Sequence, residues 1–448
     1  MQQSSMKEYK TLIVGLGKTG LSCARYLASK GVPVAITDSR EQPPGLEALK
    51  AELPDLALFL GGFEESVFAA AEQLVVSPGV PVSEPLIQAA MKRGVPVVGD
   101  IEIFAQEVNA PVAAITGSNG KSTVTTLVGA MAEKAGIKAK MGGNLGDPAL
   151  DLLDEDAEIY ILELSSFQLE TTSSLSPRAA VVLNVSSDHM DRYPDVGTYA
   201  GVKSEIYSRA EIGIYNLDDP YVVAMRKGEE SHLLYTLGEP GANCFGLRVS
   251  GDVEWICYEQ RQLITSSGVL IPGRHNLSNA LAALAIGSAM GMPEEAMLDA
   301  LREFDGLPHR TQFVAEQDGV RWYNDSKGTN VGACIAALKG FSGSGKTVLI
   351  AGGDAKDADF SSLAPVVKDN ARAVVLIGRD APHIESALTD TVPLLHADSM
   401  EQAVATAAEE AQTGDQVLLS PACASFDMYS SYEQRGEVFM AAVARLLA

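Results

Sequence analysis

Positive charge is in short supply in this chain. Its 448 residues hold 34 Lys and Arg against 58 Asp and Glu, for a formal net charge of −24. Such a surface repels nucleic acid and anionic membranes, so neither is expected as a partner. Anionic small substrates stay open, because they need only local positive sites. Cysteine is also scarce. Cys23, Cys244, Cys257, Cys334 and Cys423 are scattered, odd in number and without a C-x-x-C pair. That argues against a zinc cage or disulfide framework and fits a reducing cytoplasm. Long apolar runs are missing as well. No stretch approaches the roughly 20 residues of a membrane span, and "MQQSSMKEYKTLIVGLG" enters a strand without the pattern of a signal peptide. The remaining composition, 46% hydrophobic and 21% charged, is that of an ordinary globular protein. The length suits two to four domains of roughly 100–200 residues each. Nothing demands more than a monomer.

Short apolar runs alternate with amphipathic segments from the start. "TLIVGL", "VPVAITD", "LALFLGG", "QLVVSPG" and "VPVVGD" read as strands, with helices at "GLSCARYLASKG" and "EPLIQAAMKRG". This alternation predicts a parallel sheet wrapped by helices. A second block opens at "PVAAITGSNGKST" and carries strands "AEIYILEL", "AAVVLNV" and "IGIYNL". A β-rich stretch from Cys244 to Gly273 and two helices follow. "KTVLIAGG", "AVVLIG", "PLLHA" and "DQVLLSP" give the last block its strands. The expected fold is therefore α/β with three domains: a Rossmann-like sheet over 1–104, a P-loop-type unit over 105–307 and a Rossmann-like unit over 308–448.

Two glycine-rich turns carry the chemistry. Gly15-Leu16-Gly17-Lys18-Thr19-Gly20 is a complete G-x-G-x-x-G between strand and helix, with Asp38 at the end of the next strand. Glycines allow close approach of phosphate, and Asp38 could accept from a ribose or base. The pattern specifies a nucleotide-shaped ligand, and an NAD-dependent dehydrogenase is one reading of it. The second turn, Gly117-Ser118-Asn119-Gly120-Lys121-Ser122-Thr123, is shorter than the G-x-x-x-x-G-K-[ST] loop, since Ile115 stands where the first glycine belongs. It still has a buried strand leading in, a lysine for phosphate, and a hydroxyl for Mg²⁺ at a helix start. Glu163 ends one later strand. Asp188, His189 and Asp191 follow another, where ligands of open α/β sheets bind. A carboxylate, a histidine and a hydroxyl together can hold Mg²⁺. In the third block, Asn324, Asp325, Ser326 and Lys327, then Lys356 and Asp357, then Ser425 and Phe426 lie at strand ends, with a helix cap expected at Thr329. Cys423 has no nearby histidine and reads as a packed residue.

Taken together, "TGSNGKST", "ELSSFQLE", "NVSSDHMDRY", "GRHNLSNALAA", "GLPHR", "NDSKGTN", "GGDAKDADF" and "SPACASFDMYSSYEQRGEVF" resemble the Mur ligase family of bacterial cell-wall synthesis. The resemblance covers nearly the whole chain and is to the branch that adds D-glutamate. The D-N-P-R signature of the diaminopimelate-adding branch is absent. Folylpolyglutamate synthase shares the ATP loop but lacks the first fingerprint. A dehydrogenase leaves the second loop unexplained, and a nucleotide switch leaves the third block unexplained.

The resemblance implies ATP, two Mg²⁺ ions, UDP-N-acetylmuramoyl-L-alanine and D-glutamate as ligands. It implies that Leu16, Gly17, Lys18, Thr19, Asp38, Ser39, Arg40 and Gly79 serve a UDP site, with Asn144 near the muramoyl part. Gly117 to Thr123 would bind ATP, with Lys121 on the β- and γ-phosphates, helped by Asn279, Arg310, Asp325 and Lys327. Ser122 and Glu163 would hold one Mg²⁺, and His189 would help hold the second. Lys203 matches a lysine that carries a carbamate. Thr329, Lys356, Ser425, Phe426 and Tyr432 would receive D-glutamate. Tyr432 departs from the family pattern by its added hydroxyl.

Overall fold

The computed structural model describes residues 9–226, 232–271, 273–341, 345–355 and 358–447. Lys356 and Asp357 lie outside the described residues. Among the described residues three sheets form, of five, nine and six strands, matching the expected three α/β units.

The first sheet holds β1 (Thr11–Val14), β2 (Val34–Asp38), β3 (Ala57–Leu60), β4 (Gln73–Val76) and β5 (Val97–Val98). Their order is β3-β2-β1-β4-β5 and every pairing is parallel. The order reverses at β1, which places the G-x-G-x-x-G turn in the crevice where such sheets bind ligands. Glycine is required at two points of that turn. Gly15 has φ 97°, and a Cβ on Gly20 would collide with the Gly15 carbonyl.

The central sheet comprises β6 (Val112–Thr116), β7 (Ala139–Gly143), β8 (Ile159–Glu163), β9 (Ala179–Val182), β10 (Ile212–Asn216), β11 (His232–Tyr235), β12 (Cys244–Ser250), β13 (Val253–Tyr258) and β14 (Arg261–Thr265). The order is β14-β13-β12-β11-β10-β9-β6-β8-β7, parallel from β12 to β7 and antiparallel at the β12–β13–β14 end. β6, β8 and β9 are buried along their whole length, as strands covered on both faces must be. Their carboxyl ends deliver Gly117, Glu163 and the 183–189 segment to one edge.

The third sheet holds β15 (Gln312–Gln317), β16 (Val320–Asn324), β17 (Thr347–Gly352), β18 (Ala371–Ile377), β19 (Leu394–His396) and β20 (Gln416–Leu419), in the order β15-β16-β20-β17-β18-β19. Only β15 runs antiparallel to its neighbour.

The cores are not equally shared. One apolar cluster runs from Ile13, Ile36 and Val75 of the first sheet through Ile101 and Phe104 to Tyr160, Leu162 and Val182 of the second. Phe104 meets Tyr160 edge-on at 5.2 Å. The third sheet has its own clusters on its two faces. No helix among the described residues is long and apolar enough to cross a membrane.

Sequence reading missed β7, β11 and β15. β7 and β15 are edge strands, partly exposed, and carry glycine or polar residues. β11 is only half-buried over most of its length. The cap expected at Thr329 falls one residue later. Asn330 accepts from Ala333 N at 2.8 Å and starts the helix Val331–Gly340, while Thr329 is exposed.

Candidate functional site

The short glycine loop is pinned before any ligand arrives. Asn119 N–H donates to Asn184 Oδ1 at 2.9 Å, and Ser118 Oγ donates to the Ser186 carbonyl at 3.1 Å. Gly120 (φ 85°) precedes the helix Lys121–Lys134, and a Cβ there would meet Asn279 Oδ1 at 2.5 Å. Only glycine lets Asn279 approach the loop so closely.

Cations crowd this loop. Lys121 Nζ donates to the carbonyls of Gly117 and Ser118 at 2.7 and 3.0 Å. Lys203, on the helix Val196–Ser204, is 1% exposed and donates to the Gly117 carbonyl at 3.1 Å, over the Tyr199 ring. Arg310 Nη2 donates to Ser122 Oγ at 3.0 Å. Burial lowers the pKa of all three. Lys203 falls well below the ordinary lysine range, and the Lys121 charge pushes it further down.

The opposing carboxylate is Glu163, 2% exposed at the end of β8. Its Oε1 accepts from Asn144 Nδ2 at 2.6 Å, whereas its buried Oε2 has no partner among the described residues. A buried carboxylate oxygen without a donor is costly unless a cation or donor completes it. His189 sits at φ 57°, 3.7 Å from Asp188 and edge-on to Phe167 at 4.8 Å. Burial lowers its pKa below the usual imidazole value, with Asp188 opposing, so it is neutral at pH 7.

Two cavities flank this centre. One of about 350 Å³ is lined by Asn119, Gly120, Thr123, Asn279, Arg310, Asp325 and Lys327, all expected at an ATP site. It is also lined by Asn184, Asp218, Asp219, His275 and Asn276, which sequence reading had not assigned. Their signal was available in part. Asn184 follows β9, Asp218 and Asp219 follow β10, and His275 and Asn276 stand in the quoted "GRHNLSNALAA". Asp325 accepts from Thr311 N at 3.1 Å and Ser420 Oγ at 2.7 Å, and burial raises its pKa to about 6. Burial lowers Lys327 to about 8, with its ammonium 3.7 Å above the Tyr432 ring.

The second cavity, about 540 Å³, lies at the first glycine turn. Gly17, Lys18, Thr19, Asp38, Ser39, Arg40, Gly79 and Asn144 all line it. Leu16 does not; its side chain is fully buried in the core. Asp38 also differs from expectation. Its two oxygens already accept from Leu16 N, Arg40 N, Arg40 Nε and Arg40 Nη2 at 2.7–2.9 Å. A carboxylate has about four acceptor positions, so Asp38 fixes the turn and Arg40 and has none to spare for a ribose. Asn144 lines this cavity and donates to Glu163, so the larger cavity reaches the strand-end carboxylate through Asn144.

The residues expected to receive D-glutamate are not gathered in either cavity. Thr329 and Phe426 are exposed, Ser425 is buried, and Tyr432 packs against Lys327. Cys423 is buried and its thiol is pushed up to about 12, consistent with packing.

A half-buried lysine on a glycine loop and a buried one beside it, near a buried carboxylate with one unpartnered oxygen, form a centre suited to phosphate on a three-part α/β scaffold. The chain belongs to the Mur ligase family. The pattern described as Mur ligase MurD-like, N-terminal domain, matches residues 9–99; the Mur ligase middle domain matches 115–287; and the Mur ligase, glutamate ligase domain, matches 309–423. Similar relatives include the UDP-N-acetylmuramoylalanine--D-glutamate ligases of Nitrosococcus oceani and Marinobacter nauticus. They are 54% and 52% identical, over 98% and 97% of this chain and 97% and 98% of theirs. Among solved structures, a pseudomurein peptide ligase type C from Methanothermus fervidus shares the fold at TM-score 0.62 and 17% identity, covering 98% of this chain and 100% of its own. The MurF ligase of Thermotoga maritima in complex with ADP does so at 0.60 and 17%, covering 99% and 97%.

The raised pKa of Asp325 yields a stability prediction with a definite sign. Its folded value of about 6 exceeds its ordinary 3.8, so the folded state holds the proton more tightly. That contribution is complete below about pH 4 and is lost as pH rises through 6. Asp325→Asn is expected to gain stability relative to wild type over that window, by up to about 3 kcal/mol. Urea unfolding at pH 4 to 7, followed by Trp322 fluorescence in a Trp255→Phe background, measures the gap. A gap that does not change with pH would refute the assignment.

Proposed function

We infer that the chain is an ATP-dependent ligase. It joins D-glutamate to the L-alanine carboxylate of UDP-N-acetylmuramoyl-L-alanine, giving ADP and phosphate, in cytoplasmic assembly of peptidoglycan precursors. The observation that carries this reading is the full-length likeness to relatives bearing that activity's name. The larger cavity's link to Glu163 through Asn144 and the lining of the smaller one by Asn119, Gly120, Asn279, Arg310, Asp325 and Lys327 support it. The larger cavity takes the UDP end of the sugar nucleotide, with its muramoyl-alanine arm passing Asn144. The smaller one takes ATP, its phosphates resting on Gly117 to Thr123.

In the reaction the L-alanine carboxylate attacks the γ-phosphorus, and ADP leaves. The D-glutamate amine then attacks the carbonyl of the resulting acyl phosphate. The tetrahedral adduct expels phosphate, and the amine gives up its proton. Two anions must approach each other in the first step. Lys121 and Arg310 are placed to offset that repulsion, and the pinned loop fixes the in-line geometry.

Glu163 Oε2, Ser122 and His189 fit Mg²⁺. The orphaned oxygen is the structural reason, since no group of three His, Cys, Asp or Glu gathers there among the described residues and phosphate oxygens must complete the shell. Bound Mg²⁺ supplies charge neutralisation at the triphosphate. Lys203 fits a carbamate. Burial favours its neutral amine, which adds CO₂ and releases one proton, turning a cation into an anion able to serve a second Mg²⁺. Thr329, Lys356, Ser425, Phe426 and Tyr432 form the D-glutamate pocket once the third domain closes. The third unit shares no apolar cluster with the central one among the described residues, which supports such movement.

Phosphate release from ATP should require both UDP-N-acetylmuramoyl-L-alanine and D-glutamate when a panel of amino acids is assayed. Turnover with L-glutamate and folate instead would overturn the reading. Lys203→Ala is expected to lose at least about 100-fold in rate, as removal of a metal-orienting group does, and to regain part of it when short carboxylates are added. Equal rates with and without the additive, across a series of carboxylate sizes, would remove the carbamate from the account.

A further inference from the structure

Arg192 is not used by the chemistry above, yet its side chain bonds two backbone carbonyls at the larger cavity and a carboxylate. It lies three residues after His189 and is 13% exposed. Its Nη1 donates to the Pro78 carbonyl at 2.9 Å, and its Nη2 reaches the Val80 carbonyl at 3.5 Å. Pro78, Gly79 and Val80 line the larger cavity. The same Nη2 donates to Glu170 Oε2 at 2.7 Å, while Glu170 Oε1 accepts from Tyr193 Oη at 2.6 Å. The guanidinium lies 4.0 Å from the centre of the Phe167 ring, which also meets the edge of His189 at 4.8 Å and stacks on Tyr193 at 6.1 Å.

This arrangement joins two parts of the chain that are distant in sequence. The turn after β4 belongs to the first sheet, and His189 follows β9 of the second. A planar guanidinium suits the task, because its donors fork to carbonyls and a carboxylate while its face stacks on a ring. The shared apolar core beneath holds the two units together, so a shift of the 78–80 turn has Arg192 as its nearest polar route to His189. His189 has a backbone in the left-handed region, where a small change in support moves the ring.

We propose that Arg192 is a positioning residue that couples occupancy of the nucleotide-sugar cavity to the placement of His189, so that each substrate raises the enzyme's affinity for the other. The inference rests on the reading that the larger cavity takes the UDP substrate and that His189 serves the ATP·Mg²⁺ site. A coupling of this kind is reciprocal, and its demonstration requires affinities of both ligands, since spatial intermediacy alone does not establish a route.

The experiment is calorimetric titration of Mg·AMP-PNP into the full-length protein, with and without saturating UDP-N-acetylmuramoyl-L-alanine. In the wild type the UDP substrate is expected to tighten nucleotide binding by about five-fold or more. Arg192→Met should bring that factor to within two-fold of unity, while the Kd for each ligand alone changes little. Arg192→Lys keeps the charge but not the fork, and should recover part of the coupling. Glu170→Gln, at the other end of the clamp, should also weaken it. Wild-type coupling that persists in Arg192→Met would overturn the proposal, as would a wild type with no coupling. A uniform loss of both affinities in Arg192→Met, unrelieved in Arg192→Lys, would assign the residue to packing alone and also reject it. Failure of the wild type to bind either ligand would instead refute the underlying functional reading.

Discussion

The structure depends on three cations gathered at the end of β6, Lys203 buried and Lys121 and Arg310 half-buried. Lys121 and Lys203 donate to backbone carbonyls, and Arg310 donates to a hydroxyl; none of these contacts is with a carboxylate. Burial opposes the charge of each. A protein tolerates such a cluster only where something else repays desolvation. Under the proposed function, a triphosphate would do so for Lys121 and Arg310, and conversion to a carbamate would do so for Lys203. Glu163, with one oxygen held by Asn144 and one unpartnered, presents the complementary deficit for a cation. The fold fixes Glu163 at the end of β8, Lys121 at the start of one helix and Lys203 in the last turn of another, where backbone rigidity keeps them from collapsing onto each other.

The mode of attachment of each unit follows its task. The first and second units share one apolar cluster and are cross-linked by Arg192, by Lys18 donating to the Gly146 carbonyl, and by Ser22 donating to Asp151. The larger cavity thus sits on a platform fixed relative to the glycine loop. Among the described residues the third unit shares no apolar cluster with the second, and meets it through polar contacts of Arg310 and Asn330 and through the helix Val331–Gly340 against the helix Arg274–Ala289. That contrast fits an acyl phosphate that must be shielded during reaction and a product that must leave.

Much of this was legible in the chain. Strand–helix alternation specified three α/β units because fully buried parallel strands read as continuous apolar runs. The phosphate loop was visible despite its shortened spacing, since strand, glycines, lysine and helix stood in order. The losses have physical causes. Edge strands β7 and β15 carry glycine and polar residues because one side faces solvent. Asp38 looked like a ribose acceptor because sequence cannot count its lone pairs, all of which the fold assigns to Leu16 and Arg40. Leu16 sits inside the fingerprint but points into the core. Arg192 left no sequence signal, because its partners are backbone carbonyls 112 and 114 positions away.

Under the proposed function, the cations at the glycine loop bring a carboxylate against a triphosphate. The most direct measurement is trapping with hydroxylamine, using ATP, Mg²⁺ and UDP-N-acetylmuramoyl-L-alanine in the absence of D-glutamate. The account predicts ADP and the hydroxamate of the sugar nucleotide in equal amounts. ADP formed without hydroxamate, or no ADP until D-glutamate is added, would contradict it.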